Sequence, residues 1–280
     1  MAGNSLYGPL DPALDAGYVD APSRMGFFTD TSVCIGCKAC EVACKEWNLV
    51  PEDGLVFSGD SYDNTGALGA DSWRHVAFVE QGGDDGDPLR WLMSSDVCKH
   101  CTHAACLDVC PTGALFRTEL GTVVVQDDVC NGCGYCVPAC PFGVIERRER
   151  PAEDGDGGVH KCTLCYDRTR EGMTPACAQA CPTESIQFGP LEELRHRAAG
   201  RLAQVVEAGA TGARLYGEDP ADGVGGFGAF FLLLDEPEVY GLPAAPVAAT
   251  RHLPSMWRAA AVAGAGLVGA VALALLGGRE

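Results

Sequence analysis

The 280-residue sequence is short of positive charge: 20 Lys and Arg stand against 38 Asp and Glu, a formal net charge of −18. A surface of that sign repels phosphate, which argues against nucleic acid as a partner and reads as a solubilising acidic exterior. The N-terminus also lacks a basic stretch followed by an apolar run. Its sequence, MAGNSLYGPLDPALDAGYVDAPSR, is expected to be an extended arm over residues 1–24 and not a cleavable signal peptide. No P-loop, nucleophile elbow or nicotinamide site is found in the sequence. GVGGFG, Gly223 to Gly228, has the composition of a phosphate loop. It does not sit between a strand and the helix of a βαβ unit, so a dinucleotide site is set aside. With no catalytic constellation, the chain reads as non-catalytic.

Cysteine is present in excess, and its sixteen members fall into four groups of four with none left over. The groups are Cys34, Cys37, Cys40, Cys44; Cys98, Cys101, Cys106, Cys110; Cys130, Cys133, Cys136, Cys140; and Cys162, Cys165, Cys177, Cys181. Disulfides belong to oxidising compartments and small secreted scaffolds, and close C-x2-C pairs are poorly placed for structural bridges. Tetrathiolate zinc is the stronger alternative, but zinc ribbons use two C-x2-C pairs with a longer spacer. Groups one and three instead have the compact run C-x2-C-x2-C-x3-C, and three groups continue into proline at Pro111, Pro141 and Pro182. That is the bacterial ferredoxin pattern for 4Fe–4S clusters.

A cubane needs a thiolate at each of four corners. Cysteines three residues apart can wrap three corners, and in two-cluster ferredoxins the cysteine before proline serves the other cluster. The groups are therefore expected to work in pairs. The fold class expected is α+β: two ferredoxin-like 4Fe–4S dicluster units with insertions, spanning residues 25–190, and one C-terminal transmembrane helix. Residues 53–90 read as an insertion, with strands at His75–Glu80 and Leu89–Met93, and GTVVVQ, Gly121 to Gln126, reads as a strand. Leu191, Leu194, Ala198, Leu202 and Val205 share one face of a helix over 191–209, with Gly209 at its end. The rest of 191–250 is expected to be an extended segment and linker. His100 and His103 flank Cys101, and Lys161 precedes Cys162. Packing or surface roles are the ordinary reading for all three, with tuning of a cluster as the alternative.

From Ala259 to Gly278 there is no charged residue. About 20 apolar residues at about 1.5 Å each match a bilayer core, so residues 255–278 are expected to cross the cell membrane once. Trp257, Arg258 and Arg279 would anchor the ends. Small residues four apart, Gly266 with Ala270 and Ala265 with Gly269, would admit another helix closely. Arg251 and Arg258 before the helix against Arg279 after it leave the side of the cluster domain undecided.

CIGCKACEVACKEWN, VCNGCGYCVPACPFGV, HKCTLCYDRTREGMTPACAQACPT and RLYGEDPADGVGGFGAFFLLLDEPEVYGLP together resemble the iron–sulfur (beta) subunit of membrane-bound formate dehydrogenase. That subunit belongs to the four-cluster subunits serving molybdopterin oxidoreductases. The resemblance covers roughly residues 25–276. It implies crossed pairing. Cys34, Cys37, Cys40 and Cys181 would hold one cluster, and Cys44, Cys162, Cys165 and Cys177 the next. Cys98, Cys101, Cys106 and Cys140 would hold a third, and Cys110, Cys130, Cys133 and Cys136 the fourth. It further implies two partners: a molybdopterin-dependent catalytic subunit, and an integral-membrane, quinone-reactive subunit with haem b or a similar group. The alternatives are the same role for another molybdoenzyme or a hydrogenase, a membrane-anchored polyferredoxin, and a zinc-based scaffold.

Overall fold

Two apolar runs from opposite ends of the chain form the centre of the main sheet. The computed structural model describes residues 17–54, 57, 59, 62–82, 89–148 and 157–277. Residues 1–16 of the N-terminal arm and Arg279 lie outside the described residues. Strand β1 (Met25–Asp30) pairs in parallel with β10 (Ala229–Leu233), Phe28 opposite Phe230. Their rings stack with centroids 5.3 Å apart. The flanking strands run antiparallel: β8 (Ile186–Pro190) on β1 and β9 (Arg214–Tyr216) on β10, giving the order β8-β1-β10-β9. Phe27, Phe28, Phe230 and Phe231 are fully buried. Each ring contributes about 1.5–3 kcal/mol of hydrophobic stabilisation.

Helix α6 (Leu191–Glu207) covers this sheet, with Leu191, Leu194, Ala198 and Val205 buried and Leu202 half-buried. Glu192 and Glu193 lie in its first turn, where the helix dipole favours negative charge. It ends at Ala208, after which Gly209 takes φ +105°. Residues 191–250 are thus not a helix followed by a linker, because two of the sheet's four strands come from them. PEVYGLP is a 3-10 turn with Tyr240 and Leu242 buried, not an extended run.

The insertion forms an eight-residue-register hairpin, β2 (Arg74–Gln81) with β3 (Arg90–Val97), close to the two strands expected there. The remaining elements are one-turn helices and two short hairpins around the cysteines. The hairpins are β4 (Leu115–Arg117) with β5 (Val123–Val125), and β6 (Glu146–Arg147) with β7 (Val159–His160). The cysteines stand inside two of the three apolar cores: Cys40, Cys98, Cys162 and Cys177 among Phe27, Val76 and Val97, and Cys136 among Leu115, Val123 and Ile145. The chain closes with α7 (Leu253–Gly277). With the turn before it, this helix gives a run from Ala249 to Leu276 that contains an 18-residue stretch of mean hydropathy 2.3, long and apolar enough to cross a membrane. Its apolar side chains are exposed, Leu267 at 68 % and Leu273 at 72 %.

Candidate iron–sulfur sites

Each cysteine group begins with the same backbone turn. The residue before the second cysteine has positive φ in all four: Gly36 at +65°, His100 at +45°, Gly132 at +68° and Leu164 at +59°. Groups one and three repeat this two residues later, at Lys38 and Gly134. A backbone that alternates hand points successive N–H groups into one concavity, the arrangement that holds anions and Fe–S clusters. The left-handed region costs an L side chain about 1–2 kcal/mol, yet His100 and Leu164 adopt it while fully buried. After the fourth cysteine, the Cys-Pro groups turn again at Gly113, Gly143 and Glu184, all at positive φ. Group one has no proline, and there α1 (Ala39–Asn48) continues one turn past Cys44 before Leu49 ends it.

The tertiary fold brings members of different groups together. Burial raises the pKa of Cys34, and the neighbouring thiolates of Cys40, Cys181 and Cys37 raise it further. Cys44 is raised by burial and then by Cys162, Cys177 and Cys165. For Cys101 the charged neighbours after burial are Cys98, Cys106 and Cys140. Cys136 is pushed up to about 11 by burial, with Cys130, Cys110 and Cys133 adding to it. In each case at least one neighbouring thiol belongs to a second run. The sets named below are the four that the family resemblance implies, each with three members from one run and one from another. Asn48 bridges two runs directly, its Nδ2 donating to Cys44 Sγ at 3.6 Å and to Cys165 Sγ at 3.9 Å. Cys34, Cys37, Cys40 and Cys181 line one small cavity.

The sets also adjoin one another. Cys40 of the first acts on Cys177 of the second, Cys162 of the second on Cys98 of the third, and Cys106 of the third on Cys136 of the fourth. Of the sixteen cysteines only Cys37 and Cys133 are exposed, one in each end set. Thiols raised by burial, such as Cys34, Cys44, Cys101 and Cys136, must lose their protons to ligate iron, so cluster binding is coupled to proton release. Among the described residues, no three Cys, His, Asp or Glu gather around a single-ion site. A donor set of four thiols beneath inward-pointing N–H groups fits a cubane, whose cysteine ligands stand further apart than those of a single zinc ion.

Buried polar side chains crowd the sulfurs. Val123 N–H donates to Nδ1 of His100 at 3.1 Å, so the proton of this fully buried imidazole sits on Nε2. Burial foremost, then the cations of Lys161, Arg24, Arg117 and Arg74, push its pKa well down. His103 packs under the GVGGFG loop, its N–H bonded to Val224 O at 2.7 Å, while Thr102 N–H meets Gly226 O at 3.0 Å. That loop is therefore the backing of the second cysteine group. Lys161 is buried, donating to the carbonyls of Val123 and Cys162. Cysteine spacing singles out neither Arg74 nor Asn48. For Arg74 the one signal in the sequence is a charged residue at the start of a strand with an apolar centre, VAFV.

Residues 33–114 and 89–191 each match the family model of a 4Fe–4S dicluster domain. The chain is 43% identical over 221 residues to the formate dehydrogenase iron–sulfur subunit of Haemophilus influenzae, covering 78% of this chain and 68% of that one. It is 41% identical over 241 residues to the formate dehydrogenase-O iron–sulfur subunit of Escherichia coli, covering 85% and 76%. The protein belongs to the family of formate dehydrogenase iron–sulfur subunits. A subunit of the anaerobic dimethyl sulfoxide reductase of E. coli is related more narrowly, 39% identical over 189 residues, 65% of this chain and 81% of that one. As an iron–sulfur electron-transfer subunit of this formate dehydrogenase and dimethyl sulfoxide reductase family, the protein carries four 4Fe–4S clusters. Each gains or loses one electron at a time, at a potential set by charge, hydrogen bonding and exposure.

Proposed function

We propose that this chain is the electron wire of a membrane-bound formate dehydrogenase, joining a molybdopterin-dependent catalytic subunit to an integral-membrane, quinone-reactive subunit. The four thiol sets described above are its cluster ligands. What supports the reading is the succession of neighbouring thiols across those sets, Cys40 with Cys177, Cys162 with Cys98 and Cys106 with Cys136, with Cys37 exposed in the first set and Cys133 in the last. Electrons enter at the first set, whose rim exposes Ile35, Val42 and Leu49, an apolar surface suited to a protein partner. They leave at the fourth. Thr250, just before the apolar helix, bonds the carboxylate of Asp108, two residues from Cys110. The exit therefore lies on the side from which the helix departs, which supports a membrane subunit as acceptor and single-pass insertion in the cell membrane.

The test uses complex purified anaerobically through a tag on this chain. Formate alone is expected to bleach the broad visible absorbance of the oxidised clusters. Bleaching by dithionite but not by formate would retain the wire and move the donor to another oxidoreductase, such as a sulfoxide reductase-like partner.

A further inference from the structure

Arg74, at the start of β2, is 2 % exposed. Its Nη1 donates to the carbonyl of Ser95 at 3.2 Å and to the Ser95 hydroxyl at 3.1 Å. The guanidinium lies 5.0 Å from the centroid of the Phe27 ring. Nε and Nη2 are buried and have no well-formed hydrogen bond within the protein. Thiols surround it. Cys177, Cys40, Cys162 and Cys44 are its charged neighbours, and Cys177 is close enough to accept a hydrogen bond from it. Cys40 belongs to the first set and the other three to the second, and Ser95 Oγ stands 3.3 Å from Cys40 Sγ. One nitrogen is therefore clamped by Ser95 and one face by Phe27, while the remaining donors stand among sulfurs of two sets.

A buried cation with two donors that meet no oxygen is costly unless negative acceptors face it. Cysteinyl 4Fe–4S clusters supply them, as thiolate and sulfide sulfur. We propose that Arg74 donates Nε–H and Nη2–H to the sulfur shells of the first and second clusters together and holds both reduction potentials up. No bond is made or broken. An added electron goes to cluster iron, and a fixed positive charge in a poorly screened interior offsets it. The inference rests on the ligand sets proposed above. It adds that the pair is tuned jointly by one side chain from the hairpin.

The experiment is an EPR-monitored redox titration of the anaerobically purified complex, with iron counted per chain. Cys181→Ser and Cys165→Ser assign the first two signals. In Arg74→Gln, the reduction equilibria of those two signals are expected to fall about tenfold, 59 mV for a one-electron couple. The other two should move less. Arg74→Lys keeps the buried charge but not the planar fork, and is expected to shift the same two signals by a smaller amount. Unchanged potentials in Arg74→Gln overturn the proposal. If that variant loses its iron, wild-type potentials in Arg74→Lys overturn it instead. Should Cys181→Ser damage the cluster of Cys162, Cys165 and Cys177 and spare that of Cys34, Cys37 and Cys40, the ligand sets themselves fail. If the sets hold and Arg74 has no effect, this inference alone fails.

Discussion

At the scale of single residues, the decisive feature is backbone hand beside the second cysteine of each group. Gly36 and Gly132 supply it with no side chain to strain, whereas His100 and Leu164 adopt it against their preference. The two kinds of glycine predict different outcomes. A Cβ on Gly36 would stand 2.6 Å from the Phe78 ring and 2.9 Å from Met93 Sδ, on top of its φ of +65°. Gly36→Ala is expected to lower iron content by about one cluster per chain, read by iron and sulfide analysis. Gly113 has φ +71° but open space around its Cβ direction. Gly113→Ala should cost only the backbone strain, about 1–2 kcal/mol, and keep its iron. Equal iron loss in both would mean that the turn, and not the space beside it, limits assembly. The cysteines themselves were fully legible in the sequence, because their spacing is a local pattern. Arg74 was not, because a lone arginine acquires meaning only from what the fold places around it.

At the scale of elements, the strands closest to an ordinary core were the hardest to read. The run AFFLL has neither helical nor strand periodicity, since β10 is buried on both faces. Its partner β1 precedes it by most of the chain, so no local signal announced the pairing. By contrast α6 faces solvent on one side and showed its period. Phe230 is fully buried at the centre of the sheet and stacked on Phe28. Phe230→Ala is expected to cost about 3–5 kcal/mol, measured as a lower midpoint of thermal unfolding under anaerobic conditions. Loss of less than about 1 kcal/mol would mean that the clusters, and not this sheet, carry the stability.

At the scale of the whole molecule, the proposed wire runs from the rim at Cys37 to the set of Cys110, whose neighbour Asp108 is bonded by Thr250 just before the apolar helix. The helix buries none of its apolar window against the rest of the protein, so its removal should leave the cluster domain intact. Deletion of residues 255–280 is expected to release the complex from membranes with unchanged iron per chain, checked by fractionation and metal analysis. Complex that stays in the membrane fraction would show that another subunit provides the anchor.

The sequence by itself determined the chemistry. Sixteen cysteines in ferredoxin spacing select iron–sulfur clusters, the apolar tail selects a helix of membrane length, and the acidic balance argues against nucleic acid. These are readable because each depends on neighbours in the chain or on composition alone. Only the tertiary structure decided that residues 214–233 complete the sheet begun at Met25, and that a guanidinium is buried beside Cys40, Cys44, Cys162 and Cys177. Those features depend on contacts between residues far apart in sequence, and on burial, which turns a common surface charge into an electrostatic element of the wire.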